Sequence, residues 1–188
     1  MLREIPLDLV HRLLAPKPVC LLTTRCKGRV NAMTAVWAGP ISLEPPLIAL
    51  AVHPARYTHD LLARSEECVL NIPARPQAEL ALKLGSISGA DEDKVATCKL
   101  QLSSPQRVEA PRIDGCLAYL ECAVVERLAP GDHTLFVLQV VGAWAEGEAF
   151  GETWLLPEGN DDLAPMVYLG GREFAIPGKR WSQSIEPG

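Results

Sequence analysis

Apolar and β-branched residues gather in short runs along this chain, and Gly, Pro and Asn punctuate the gaps between them. Residues 19–24 (Val-Cys-Leu-Leu-Thr-Thr) read as a strand, and Lys27-Gly28 as a hairpin turn into a second strand over 29–37. After a Pro-bounded turn, residues 47–52 form an apolar run without polar alternation, which predicts a strand buried on both faces. A Pro-broken turn then leads into a short helix over 58–64 with Thr58 as its N-cap. Residues 68–72 give a fourth strand, and apolar positions at Ala78, Leu80, Ala81, Leu82 and Leu84 predict a helix over 77–87, stopped by Gly85. A polar loop over 86–99 has room for one helical turn at 91–96, and residues 100–114 read as irregular. The two longest β signals, 116–128 and 134–146, are joined by Ala129-Pro130-Gly131-Asp132-His133 and predict an antiparallel hairpin with a five-residue loop. At the start of the chain, residues 8–14 predict a short helix that Pro16 ends. The Gly- and Pro-rich tail has one short strand within 165–171.

Six or seven strands with only two inserted helices predict a mainly β fold, a small antiparallel barrel with capping helices. A parallel α/β sheet needs a helix after nearly every strand, and this pattern lacks them. With 188 residues and no repeat or internal boundary, the expectation is a single domain over 1–188.

The chemistry concentrates between residues 31 and 60. Arg56 stands beside a helix start, where free N–H groups, the positive dipole end and a guanidinium fork favour an anion. Asn31 and Thr34 lie on a strand that can bring polar groups to a flat ligand. A phosphorylated planar cofactor fits both, with its phosphate at residues 56–58 and its ring against 31–37. Net charge is −5 and there is no extended Lys/Arg run, so the footprint of nucleic-acid binding is missing. The six cysteines form no CxxC pair, and His11, His53, His59 and His133 add no zinc-like spacing, so no metal site is expected. Cys20, Cys68 and Cys122 sit in apolar runs and read as reduced core thiols. The N-terminus opens with Arg3 and Glu4 and has no uninterrupted apolar stretch. The longest charge-free segment, 30–43, contains Asn, Gly and Pro and is too short to span a bilayer. The expectation is a soluble, cytoplasmic protein without membrane contact. Phosphate-loop, dinucleotide-fingerprint, zinc-protease and nucleophile-elbow motifs are all absent.

An ordered set of segments runs Pro-Val-Cys-Leu-Leu-Thr-Thr at 18–24, Asn-Ala-Met-Thr-Ala-Val-Trp at 31–37, Pro-Pro-Leu-Ile at 45–48 and His-Pro-Ala-Arg-Tyr-Thr at 53–58. Ser-Gly-Ala-Asp-Glu-Asp-Lys at 88–94 and Gly-Asp-His at 131–133 complete it. This set resembles the flavin reductase-like FMN-binding proteins of the split-barrel fold, flavoredoxin-like members in particular. The likeness covers about residues 15–145 and leaves a C-terminal extension outside it.

That resemblance implies a six-stranded antiparallel FMN-binding split barrel that forms a homodimer, with FMN near the subunit interface. Asn31, Ala32, Met33, Thr34, Ala35 and Trp37 would line the isoalloxazine, while Arg56 and Thr58 would take the phosphate. Tyr57 would stack on the ring or cover the helix; Met33 and Trp37 are equally suited to core packing. Ser42, Ser88, Asp93 and Lys94 join as further cofactor contacts, and His133 takes the catalytic position near the flavin or nicotinamide. His53 is expected to shape the turn before Pro54, and Tyr168 to approach from the tail. The implied activity carries electrons from NADH or NADPH through FMN to a flavin or protein acceptor. An FMN-binding carrier or sensor without nicotinamide chemistry uses the same binding residues and is the alternative. An oxidase or heme-handling relative on the same barrel is a third reading.

Overall fold

The computed structural model describes residue 2 and residues 4–178; Met1, Arg3 and the end of the C-terminal extension, residues 179–188, lie outside it. A 3-10 helix at Leu7–Arg12 takes the place of the expected first helix and buries none of its residues. The strands that follow are β1 (Lys17–Pro18), β2 (Cys20–Cys26), β3 (Arg29–Ala35), β4 (Ala38–Ser42) and β5 (Leu47–Val52). Helix α1 (Tyr57–Ser65) leads to β6 (Glu67–Ile72), then α2 (Ala78–Ser86) and α3 (Lys94–Thr97). Two short strands, β7 (Leu102–Ser103) and β8 (Arg112–Ile113), precede the long hairpin β9 (Ala118–Leu128) and β10 (Thr134–Ala145). The tail adds β11 (Val167–Gly170) and β12 (Glu173–Ala175).

Seven of these strands make one antiparallel sheet in the order β3-β2-β6-β9-β10-β5-β4. Its two edge strands, β3 and β4, are consecutive in the chain and separated only by Val36 and Trp37. A connection that short forces the sheet to coil until its edges meet at one end, which is the geometry of a split barrel. Trp37 sits on the seam, and its carbonyl accepts from the Ala51 amide at 2.9 Å. The tail strands form a separate three-stranded sheet, β1-β11-β12.

Each face of β2 packs a different core. Cys20 and Leu22 point into the barrel with Leu50, Leu62, Leu70, Phe136 and Leu138, and α1 plugs that interior through Leu62. Val19 and Leu21 point outward to a second cluster with Ala32, Ala81, Leu84, Ile113 and Met166, so α2 and the tail cover this side. The period of two along β2 therefore serves two buried layers. Glu121 on β9 is fully buried, on the same face of the sheet as Thr23 and Leu21. It accepts from Arg112 Nη2 at 2.6 Å and from the amides of Gln106 and Arg107, which fastens the 104–112 segment to the barrel.

Several expectations are corrected. The turn after residue 37 contains β4, hidden from pattern reading because Pro40 interrupts it and only one short strand pairs with it. Strand β5 is not buried on both faces: Leu50 and Val52 are buried, whereas Ala49 and Ala51 are only half-buried. Helix α2 runs through Gly85 to Ser86, whose hydroxyl returns to the Leu82 carbonyl at 2.7 Å. The irregular stretch contains the β7–β8 pair. The strand count exceeds six, although the hairpin loop over 129–133 has the expected length.

Candidate functional site

The seam between β3 and β4, the start of α1 and the loop after α2 enclose a cavity of about 370 Å³. That volume falls within the usual range for small-molecule sites, about 300–1,000 Å³. Ten of the residues expected to contact the cofactor or act on it line the cavity: Met33, Thr34, Ala35, Trp37, Arg56, Tyr57, Thr58, Ser88, Lys94 and His133. Segments more than 90 residues apart in sequence are thus brought together.

Arg56 is the N-cap of α1, and no side chain caps this helix. Arg56, Tyr57 and Thr58 at this helix start line one end of the cavity, and no side chain accepts from its first N–H groups among the described residues. Thr58 is not the N-cap. It lies in the first turn, nearly inaccessible, and its Oγ1 accepts from Asn31 Nδ2 at 2.7 Å. A hydroxyl that accepts this bond keeps its own proton to donate elsewhere. Lys94 is buried and donates to the Leu84 carbonyl at 2.8 Å. Burial lowers its pKa to about 8; Cys98 pulls it back upward, and the Arg56 charge adds a smaller downward push. Asp93 serves as N-cap of α3, accepting from the Val95 and Ala96 amides at 3.0 and 3.3 Å, and so fixes where Lys94 begins.

No Asp or Glu lines the cavity, whereas Arg56 and Lys94 both do. Neither cation joins an ion pair among the described residues. On a chain of net charge −5, two unneutralised cations beside a free helix start define an anion site.

The other end of the cavity is aromatic. Trp37 is 39% exposed, so the choice left open between core and ligand contact resolves toward the cavity wall. Its ring lies 4.6 Å from that of His133 with 33° between the planes. His133 Nδ1 meets Asp132 Oδ1 at 2.7 Å, and His53 contacts the His133 ring edge-on at 5.1 Å. The hydrogen bond from His133 holds the exposed Asp132 carboxyl below its ordinary pKa. His53 also shapes its turn as expected, accepting from the Ala55 amide at 3.0 Å.

Other expected contacts fall elsewhere. Ala32 is fully buried in the second core, and Ser42, at the end of β4, is not among the lining residues. Asn31 is not among the lining residues and meets the site through Thr58 and Gly89. Thr34 spends its proton on the Ala81 carbonyl at 2.5 Å, so it holds α2 and is not a donor toward the ligand. Ser88 accepts from the Ala90 amide at 3.2 Å and shapes the loop. Tyr168 pairs across from Lys17 in the tail sheet and does not reach the cavity. Cys20, Cys68 and Cys122 are buried in the core, and burial pushes the Cys20 thiol up to about 12.

Pattern reading placed Ser88 at the site but missed residues 85–87 and Gly89 as its wall, because their signal is conformational. A Cβ on Gly89 would stand 2.0 Å from Asn31 Oδ1 and 2.9 Å from Tyr57 Cδ1, so only glycine fits. The glycine in the Ser-Gly-Ala-Asp segment was the available clue.

The coiled antiparallel sheet thus holds at its seam a cavity that is aromatic at one end and cationic at the other. Comparison with known proteins places it more closely. A family model described as "Flavin reductase like domain" matches residues 12–176, and the chain belongs to that family. An uncharacterized Escherichia coli K12 protein, YddH, is 31% identical over 188 residues, covering 96% of this chain and 98% of its own. An FMN-binding protein from Thermus thermophilus superposes with a TM-score of 0.83 at 26% identity over 97% of this chain and 98% of its own. Flavoredoxin of Desulfovibrio vulgaris (Miyazaki F) gives 0.80 at 26% identity over 96% and 97%. The chain is therefore a member of the flavin reductase-like FMN-binding family with the split-barrel fold.

Proposed function

We propose that this protein binds FMN in the seam cavity and moves electrons from NADH or NADPH to a flavin or protein acceptor. The observation that carries the reading is the cavity's polarity, cationic with a free helix start at one end and aromatic at the other. The residues fit an FMN: Arg56, the first amides of α1 and the Thr58 hydroxyl would hold the phosphate. Lys94 adds a second cation, and Met33, Trp37 and Tyr57 supply ring contacts.

Bound FMN supplies hydride and single-electron chemistry that no side chain provides. The protein binds, orients and shields. Lys94 and Arg56 offset the cofactor's negative charge, and the buried wall of β3 excludes water from one face. With Nδ1 engaged by Asp132, His133 holds or releases a proton at Nε2, beside Trp37 at the open side. Pairing as a homodimer belongs to the same reading, supported by exposed Leu13, Leu14, Ile41 and Leu43.

Anaerobic stopped-flow mixing of the FMN-loaded protein with each nicotinamide tests the proposal. Loss of the visible flavin band with NADH or NADPH is expected. Bleaching by neither, with reduction only through a second protein, overturns the reductase reading in favour of a carrier. Light scattering reads the dimer separately.

A further inference from the structure

Arg29 lies at the start of β3, outside the cavity lining, yet it touches two walls of it. Its Nη2 donates to the Gly89 carbonyl at 2.6 Å, and its guanidinium lies 4.8 Å from the centre of the Tyr57 ring. Two residues further along the strand, Asn31 donates to Thr58 at 2.7 Å, and the Gly89 α-carbon packs so close to the Asn31 amide that no Cβ fits between them. Strand β3 therefore holds both sides of the anion end. Arg29 grips the loop after α2 and the first residue of α1, while Asn31 grips the next residue of α1.

Among the described residues, no other ring or cation meets the Tyr57 side chain and no other side chain bonds the Gly89 carbonyl. Gly89 follows the C-terminus of α2 by three residues, and Tyr57 is the half-buried first residue of α1. Arg29 is exposed on its outer side and has no acidic partner among the ion pairs of the described residues. Its donor and its π-face are both directed at the cavity walls. An arginine suits this task because its planar fork donates in plane while its face stacks on an aromatic ring; a lysine does one or the other.

We propose that Arg29 is a positioning residue for the FMN phosphate end: it clasps Gly89 to Tyr57, and so fixes the free amides of α1 and the Thr58 hydroxyl against the loop. The inference rests on the FMN reading above. It assigns Arg29 no direct contact with the cofactor. Its effect comes through geometry and is distinct from long-range attraction of an anion.

The test compares wild type, Arg29→Met and Arg29→Lys by FMN fluorescence quenching, with association and release rates from stopped flow. Loss of one charge-assisted hydrogen bond and one cation–π contact predicts about tenfold weaker FMN binding in Arg29→Met. The loss is expected in release rate. Arg29→Lys keeps the charge but not the fork, and is expected to resemble Arg29→Met. Hydrogen exchange of the cofactor-free protein should be faster at 86–90 and 57–59 in both variants, with the melting temperature changed by no more than about 4 °C. Wild-type affinity in Arg29→Met overturns the clasp alone. A loss confined to association rate, rescued by Arg29→Lys, shows charge steering and also overturns it. Wild type that binds no FMN overturns the FMN reading itself, and the exchange comparison then still reports whether Arg29 fixes the loop.

Discussion

Gly89→Ala perturbs the site at its tightest point. The added methyl would stand 2.0 Å from Asn31 Oδ1, 2.8 Å from Asn31 Cγ and 2.9 Å from Tyr57 Cδ1, all inside van der Waals contact. Asn31 is almost fully buried and tied to Thr58, and the Arg29 guanidinium covers Tyr57. Relief must come from rotation of the Asn31 amide or from retreat of the 87–90 loop. Either movement breaks a hydrogen bond at the anion end. Overpacking of this kind costs about 1–3 kcal/mol. Loss of the Asn31–Thr58 bond adds about 1 kcal/mol and releases the Thr58 hydroxyl from its orientation. The expected outcome is a fall of about 2–4 kcal/mol in urea-unfolding stability, with FMN binding weakened by at least about tenfold. Paired urea denaturation and FMN titration give both values. A Gly89→Ala protein with wild-type stability and affinity would refute the packing argument.

Three further outcomes follow from the same structure. Arg56→Ala should weaken FMN retention by about 1.5–3 kcal/mol through loss of a charge-assisted contact, read as free FMN after desalting. Glu121→Ala leaves Arg112 and two amides without their acceptor in the interior, and should lower stability by about 3–5 kcal/mol with little direct effect on the cavity. Lys94, lowered to about 8 by burial and Arg56, should lose its charge as pH rises through that value, so FMN affinity falls between pH 7 and 9. The sign for folding is opposite. An unfolded lysine near 10.4 binds more protons between about pH 8 and 10, so the Lys94 contribution to stability rises there. Lys94→Met should abolish both pH effects, measured by titration and by melting curves of the cofactor-free protein.

The local pattern carried much of this molecule. The period-two strand over 19–24, the Lys27-Gly28 turn and the long hairpin all depend on neighbours in sequence, and each was readable. The turn is explicit in the structure, since Lys27 and Gly28 adopt φ of 50° and 79°. Strand β4 was not readable because its pairing with β5 is decided by coiling of the whole sheet, and Pro40 argues locally against a strand. The cavity's composition was visible as residue types, but the hydrogen-bond bookkeeping was not. Asn31 and Thr34 carry the donors a flat ligand wants, yet the fold directs them to Thr58 and Ala81. Arg29 had no local signal at all, since its partners stand 28 and 60 residues away.

The central claim is that the seam cavity holds one phosphorylated flavin, and equilibrium titration of the cofactor-free protein with FMN, with riboflavin alongside, tests it most directly. The account predicts stoichiometric quenching of FMN fluorescence, riboflavin bound far more weakly for want of the phosphate, and loss of that preference in Arg56→Ala. Equal binding of FMN and riboflavin, or quenching of neither, would contradict it.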